Sequence, residues 1–173
     1  MIIGSVCENK NTEKRISVTP ENVKKFISNG FKVYLEKNYA EHLEINDEKF
    51  SENGAEFFSE KEKIIKESDI LLQLNLPSEE DLKILSPNKN LIGVFDPTNN
   101  KDTISKLSEK NINVFSLELL PRITRAQSMD ILSSQANLAG YKAVVDSFSI
   151  FEKAIPMMMT AAGTISAAKV LVV

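Results

Sequence analysis

The 173-residue sequence predicts an α/β fold, a doubly wound parallel sheet with helices on both faces. Three observations carry that expectation. Short apolar runs recur at 2–6, 31–35, 69–74, 90–95 and 112–117. Polar stretches compatible with helix lie between them. The links are short, which fits repeated strand–helix–strand crossovers in which each strand lies parallel to the last.

Taken in order, IIGSV at 2–6 is the first strand, followed by Cys7, the lone cysteine, which reads as a buried thiol. A helix is predicted over 20–29 because Thr19 can cap it, Pro20 sits where no amide donor is needed, and Glu21 faces the positive end of the dipole. Gly30 lets the backbone leave that helix before the strand FKVYL at 31–35. Further helices are expected at 59–67 and 100–110, with shorter pieces near 47–53 and 79–85. Strands are read from DILLQL at 69–74, NLIGVF at 90–95 and INVFSL at 112–117, and Asp96-Pro97-Thr98 marks a turn at a strand's carboxyl end.

From Ala126 the pattern changes. Met129, Leu132, Ala136, Ala139, Ala143 and Phe148 recur mostly at helical spacing, predicting one long helix until Pro156 approaches. KVLVV at 169–173 reads as a buried strand. The expected organisation is an α/β domain over 1–125, a connecting helix and linker over 126–160, and the first strand of a second domain over 161–173. In a dinucleotide-binding unit a glycine-rich turn follows such a strand. None of the six glycines, at 4, 30, 54, 93, 140 and 163, forms a G-x-G pair, so an ordinary edge strand stays open as the other reading.

Charge narrows the function classes. A net charge of −3 with both signs interspersed offers no field for nucleic acid. One histidine and one cysteine 35 positions apart make no metal cluster, and no G-x-S-x-G elbow exists for a triad hydrolase. His42, within YAEHLE, reads as a solvated surface residue.

The segment PRITRAQSMDILSS at 121–134 gathers a cation, an amide, a carboxylate and a hydroxyl: Arg122, Gln127, Asp130 and Ser133. The last three are spaced by three, placing them along one side of a helix start. Such a set supplies both donors and acceptors, as a bound carboxamide requires. A capped helix N-terminus with a surface ion pair is the alternative that the residues alone leave open.

The block PRI-x-RAQSMD-x-LSS-x-x-N-x-AGY, with IPMMMTAAGTISAAKVLVV after it and GSVCENKNTEKRISVTPENV before it, resembles the NAD-binding alpha subunit of proton-translocating NAD(P) transhydrogenases over essentially the whole chain. The resemblance implies a flavodoxin-like or Rossmann-like domain truncated at the first strand of a second Rossmann domain. It implies NAD(H) bound by the intact subunit and NADP(H) carried by a partner component. Arg122, Gln127, Asp130 and Ser133 would be both catalytic and cofactor-binding, orienting the nicotinamide and contacting its carboxamide, with Arg122 also near the NADP(H) partner. Implied partners are the NADP(H)-binding and membrane-spanning components and a second copy in a homodimer, with no nucleic acid. The implied location is cytoplasmic, peripheral to the inner (plasma) membrane.

Hydride exchange between two nicotinamides moves no proton at the reacting carbons, so orientation and exclusion of water count for more than an acid or base. Amino acid oxidation needs a base. The first half of the chain also resembles alanine dehydrogenases, where an early arginine, a strand-end lysine and a histidine handle the substrate. Arg15 matches the first, but Gln73 stands in the lysine's place and FDP at 95–97 lacks the histidine. Arg15 reads as an ion-pair member. The third alternative is a non-enzymatic module that dimerises through the apolar face of the 126–152 helix.

Overall fold

The computed structural model describes residues 1–172. They fall into two compact units, Met1–Met129 and Asp130–Val173. The first unit holds six strands: β1 (Ile2–Ser5), β2 (Lys32–Glu36), β3 (Ala55–Phe58), β4 (Ile70–Leu72), β5 (Asn90–Gly93) and β6 (Asn113–Ser116). They form one sheet in the order β3-β2-β1-β4-β5-β6, with each neighbouring pair parallel.

Five helices alternate with these strands: α1 (Pro20–Ser28), α2 (Asp47–Ser51), α3 (Lys61–Glu67), α4 (Glu79–Ile84) and α5 (Lys101–Glu109). Strand side chains point alternately to opposite faces, and β2 shows the result. Val33 and Leu35 pack with Val23 of α1 and Phe50 of α2. Tyr34 between them joins Ile64 and Ile65 of α3, Leu82 of α4 and Leu107 of α5. The sheet is therefore covered on both faces, as its sequence pattern requires. Each fully buried aliphatic side chain contributes roughly 1.5–3 kcal/mol, so these two layers hold the unit together.

Local chemistry sets the element ends. The Thr19 hydroxyl accepts from the Asn22 N–H, the Asn22 side chain accepts from the Thr19 N–H, and Pro20 opens α1. Gly30 leaves the helix at φ +83°. β1 and β4 are neighbours, in register at Ile3↔Ile70 and Gly4↔Leu71. From β1 the chain winds outward through β2 and β3, and from β4 it winds the other way through β5 and β6. Their carboxyl ends therefore open onto a topological switch point.

Two expectations need correction. β3 is absent from the apolar runs, because AEFF is short, is interrupted by Glu56, and as an edge strand buries only Ala55. Residues 126–152 are not one helix. Thr124–Met129 is a 3₁₀ segment, Asp130 is extended at φ −75°, ψ 94°, and α6 (Ile131–Ile150) begins after it. Aspartate competes for nearby backbone N–H groups and so favours a cap over a helix interior. Lys169 to Val172 pair with no strand among the described residues, so the terminal strand stays an expectation, and Val173 lies outside the described residues.

In the second unit α6 is followed by an antiparallel hairpin, β7 (Met158–Thr160) and β8 (Gly163–Ile165), in place of a plain linker. Gly163 takes φ +132° at the turn, a conformation that L side chains rarely adopt. Every residue of α6 after Ile131 is exposed.

Candidate functional site

Leu117–Leu119 forms a 3₁₀ turn just after β6, and the chain then enters the segment that carries Arg122 and Gln127. The Ile123 N–H donates to the Pro121 carbonyl at 2.9 Å, and the Ala126 N–H to the Ile123 carbonyl at 2.9 Å. Ala126, only 5% exposed, is the apolar peg that fastens this segment. Arg122, Arg125 and Gln127 around it all project to solvent.

Asp130 caps α6. Its Oδ1 accepts from the Ser133 N–H at 3.0 Å and its Oδ2 from the Ser133 hydroxyl at 2.7 Å. The structure thus joins Asp130 and Ser133 directly. Arg122 and Gln127 belong to the first compact unit, and Asp130 and Ser133 to the second. The helix-face reading does not hold, because Gln127 is in a 3₁₀ turn and Asp130 is extended. What stands is a run of polar groups, exposed at Arg122, Gln127 and Ser133 and half-buried at Asp130, offering donors and acceptors within twelve positions of sequence.

Arg15 pairs with Glu13, its Nε donating to Oε1 at 2.8 Å and its Nη2 to Oε2 at 2.6 Å. The Arg15 guanidinium holds the buried Glu13 carboxyl down at about 2, against the opposing effect of burial. Glu13 in turn raises the pKa of Arg15. The ion-pair reading of Arg15 is therefore what the geometry shows.

His42 departs from its expected role as a solvated residue. It is half-buried in the 3₁₀ turn Glu41–Leu43, and its Nε2 lies 2.8 Å from the Lys14 carbonyl. The Cys7 thiol is half-buried, and burial followed by the nearby Glu36 charge pushes it up to about 12. It is therefore a thiol at neutral pH and a poor nucleophile.

Gln73 follows β4, where its backbone N–H donates to the Ile92 carbonyl. Its side-chain Oε1 accepts from the Val6 N–H and the Ser5 hydroxyl, both at 3.2 Å. Ser5, Ser17 and Tyr39 complete a hydroxyl network, with the Ser5 and Ser17 oxygens 2.8 and 2.9 Å from the Tyr39 oxygen. Burial raises the Tyr39 pKa, so its hydroxyl stays protonated. Sequence reasoning missed this network and Glu118, whose Oε1 accepts from the Phe95 and Asp96 N–H groups. The partners lie 12 or more positions apart, and no local spacing announces them. Glu13, two positions before Arg15 in TEKR, was the one readable signal.

A six-stranded parallel sheet in 3-2-1-4-5-6 order, with a polar run after its last strand, defines a doubly wound, Rossmann-like α/β domain. Residues 4–139 match the family described as alanine dehydrogenase/PNT, N-terminal domain. An NAD(P) transhydrogenase alpha-subunit protein of Rhodospirillum rubrum is 36% identical over 170 residues, which is 95% of this chain and 44% of that protein. The crystal structure of transhydrogenase from Sinorhizobium meliloti superposes with a TM-score of 0.88 at 39% identity, over 97% of this chain and 50% of that one. An L-alanine dehydrogenase structure matches with a TM-score of 0.64 at 17% identity, over 68% of this chain and 32% of its own, which speaks for the fold alone. The chain belongs to the alanine dehydrogenase/PNT N-terminal domain family, as a relative of the transhydrogenase alpha subunits. It spans about half the length of the proteins it resembles.

Proposed function

We propose that the chain serves in the NAD(H)-binding component of an NAD(P) transhydrogenase, which exchanges a hydride between NAD(H) and NADP(H) held on a partner component. Identity of 36% across 95% of the chain to a transhydrogenase alpha subunit carries this reading. The donor set fits a nicotinamide carboxamide. Gln127 offers both a donor and an acceptor, Arg122 offers donors, and the Asp130 carboxylate accepts. No G-x-G pair, the usual cradle for a pyrophosphate, occurs within these 173 residues.

When bound, the dinucleotide supplies the hydride carbon. Gln127 and Arg122 would hold the carboxamide and fix its rotation, and with it the face that the ring presents. Asp130, with its Ser133 bonds, holds the start of α6. No acid or base is required of these residues, because no proton moves at the reacting carbons.

Among the described residues no helix is long and apolar enough to cross a membrane. In this reading the passage of protons belongs to other components of the complex. The exposed apolar side chains of α6, including Leu138, Tyr141, Val144 and Phe148, form the contact with a second copy. The decisive assay combines the complete subunit with its NADP(H)-binding component and follows hydride transfer from NADPH to an NAD analogue of shifted absorbance. Transfer is expected. Alanine-dependent reduction of NAD without such transfer would overturn the reading.

A further inference from the structure

Strands β5 and β6 end side by side, in register at Gly93↔Ser116, and one carboxylate ties the two exits together. Glu118 stands in the 3₁₀ turn after β6, and its Oε1 accepts from the Phe95 N–H at 3.0 Å and the Asp96 N–H at 2.5 Å. The Ser116 hydroxyl accepts from the same Phe95 N–H at 3.2 Å. Hydrogen bonds to an ionised acceptor are roughly twice as strong as neutral ones, so Glu118 makes the stronger link.

The residues it grips are fixed. Phe95 holds its ring in the core at 1% exposure, and its carbonyl accepts from the Asn100 side chain at 2.8 Å. Asp96 takes φ +44°, a left-handed conformation that a residue other than glycine keeps only where its surroundings hold it. The Glu118 bond to its N–H is one such hold, and the Asn99 and Asn100 N–H groups donating to its carbonyl are another.

The segment that leaves Glu118 has little else to direct it. Of residues 119 to 127 only Leu120 and Ala126 are not exposed. Its backbone bonds run from the Leu120 N–H to the Leu117 carbonyl, from Ile123 to Pro121 and from Ala126 to Ile123. They close local turns and reach no strand. Ala126 fastens the far end by apolar burial, and Glu118 fastens the near end by charge. Arg122 lies between these two points and Gln127 next to the second. Orienting groups are sensitive to such fastening, because a displacement of about 1 Å can cost on the order of 100-fold in rate.

We propose that Glu118 is a positioning residue: by tying the exit of β6 to the Phe95 and Asp96 amides, it sets where Arg122 and Gln127 stand. The proposal rests on the reading of those two residues as nicotinamide contacts.

Two measurements on the complete subunit test it, amide hydrogen exchange and hydride transfer with the NADP(H)-binding component. Glu118→Ala should speed exchange at the Ile123 and Ala126 amides by about tenfold. It should slow transfer by about fivefold or more while changing NADH affinity less. Glu118→Gln should restore both to within about twofold, because its amide oxygen can replace Oε1, and its NH₂ falls where Oε2 stands buried with no hydrogen bond to lose. Added to Arg122→Ala and Gln127→Ala together, Glu118→Ala should cost less than about a further twofold, since it acts through them. If Glu118→Ala does not fold, Glu118→Asp, too short to span both amides, takes its place with the same expected losses. Unchanged exchange at Ile123 and Ala126, no recovery in Glu118→Gln, or a full further loss in the Arg122, Gln127 background would each overturn the proposal while leaving the nicotinamide reading intact. Full transfer in that background without the Glu118 change would overturn the nicotinamide reading, and the proposal with it.

Discussion

The carboxylate of Asp130 accepts both hydrogen bonds that Ser133 can donate, one from its backbone N–H and one from its hydroxyl. A residue of the proposed nicotinamide contacts is thus also the cap of a 20-residue helix. Loss of activity in an alanine variant would mix two effects, and the choice of substitution has to separate them. Asp130→Asn keeps a capping oxygen and removes the charge, whereas Asp130→Ala removes both. Asp130→Ala should cost about 1 kcal/mol of stability by urea denaturation, and Asp130→Asn only a few tenths. Both should slow hydride transfer in the complete subunit. Full activity in Asp130→Asn would restrict the residue to capping.

Gln127 makes a cleaner probe, because its exposed side chain supports nothing in the described fold. In the complete subunit Gln127→Ala should slow hydride transfer by about tenfold or more, a loss near 1.4 kcal/mol, while weakening NADH binding by less. Stopped-flow transfer rates and NADH titrations give the two numbers. Equal losses would mean that the amide only holds the dinucleotide.

The Glu13–Arg15 pair predicts a pH dependence of stability. The folded Glu13 carboxyl titrates near 2, below its ordinary range near 4.5. A depressed carboxyl pKa contributes stability that is fully present above the unfolded value and is lost as pH falls toward the folded one. The stability gap between the native chain and Glu13→Gln should therefore be constant above about pH 4.5 and shrink toward pH 2. Urea unfolding at pH 7, 4 and 3 measures it. A gap that stays level with acid would remove the pair as its cause.

Gly93 on β5 tests the crowding behind Gln73. A Cβ there would lie 1.9 Å from the Gln73 carbonyl oxygen and 2.5 Å from the Phe95 ring. The backbone carbonyl cannot step aside without disturbing the β4–β5 pairing. Gly93→Ala should destabilise the chain by about 1–3 kcal/mol or more, visible as a lower melting temperature. Gly140 has open space where its Cβ would be, so Gly140→Ala should not destabilise and serves as the control.

The elements that were legible in advance share one property. Strands β1, β2, β4, β5 and β6 and helices α1 to α5 are each marked by patterns confined to a few neighbouring residues, such as Thr19-Pro20 or the Asp96-Pro97 turn. β3 escaped because an edge strand buries one face only, and its apolar signal is correspondingly thin. The break before α6 escaped because apolar periodicity runs through Asp130 without registering that its side chain competes for the Ser133 N–H.

By itself the sequence determined the layered α/β architecture, the family, and the polar run from Arg122 to Ser133, since each is written in local periodicity or in a contiguous motif. Only the tertiary structure decided the strand order and the pairing of Ser5, Tyr39 and Gln73 from distant positions. The physical reason is range. Side-chain period and turn chemistry act over a few residues, whereas hydrogen-bond partners 34 and 68 positions apart meet only when burial has already chosen which strands lie side by side.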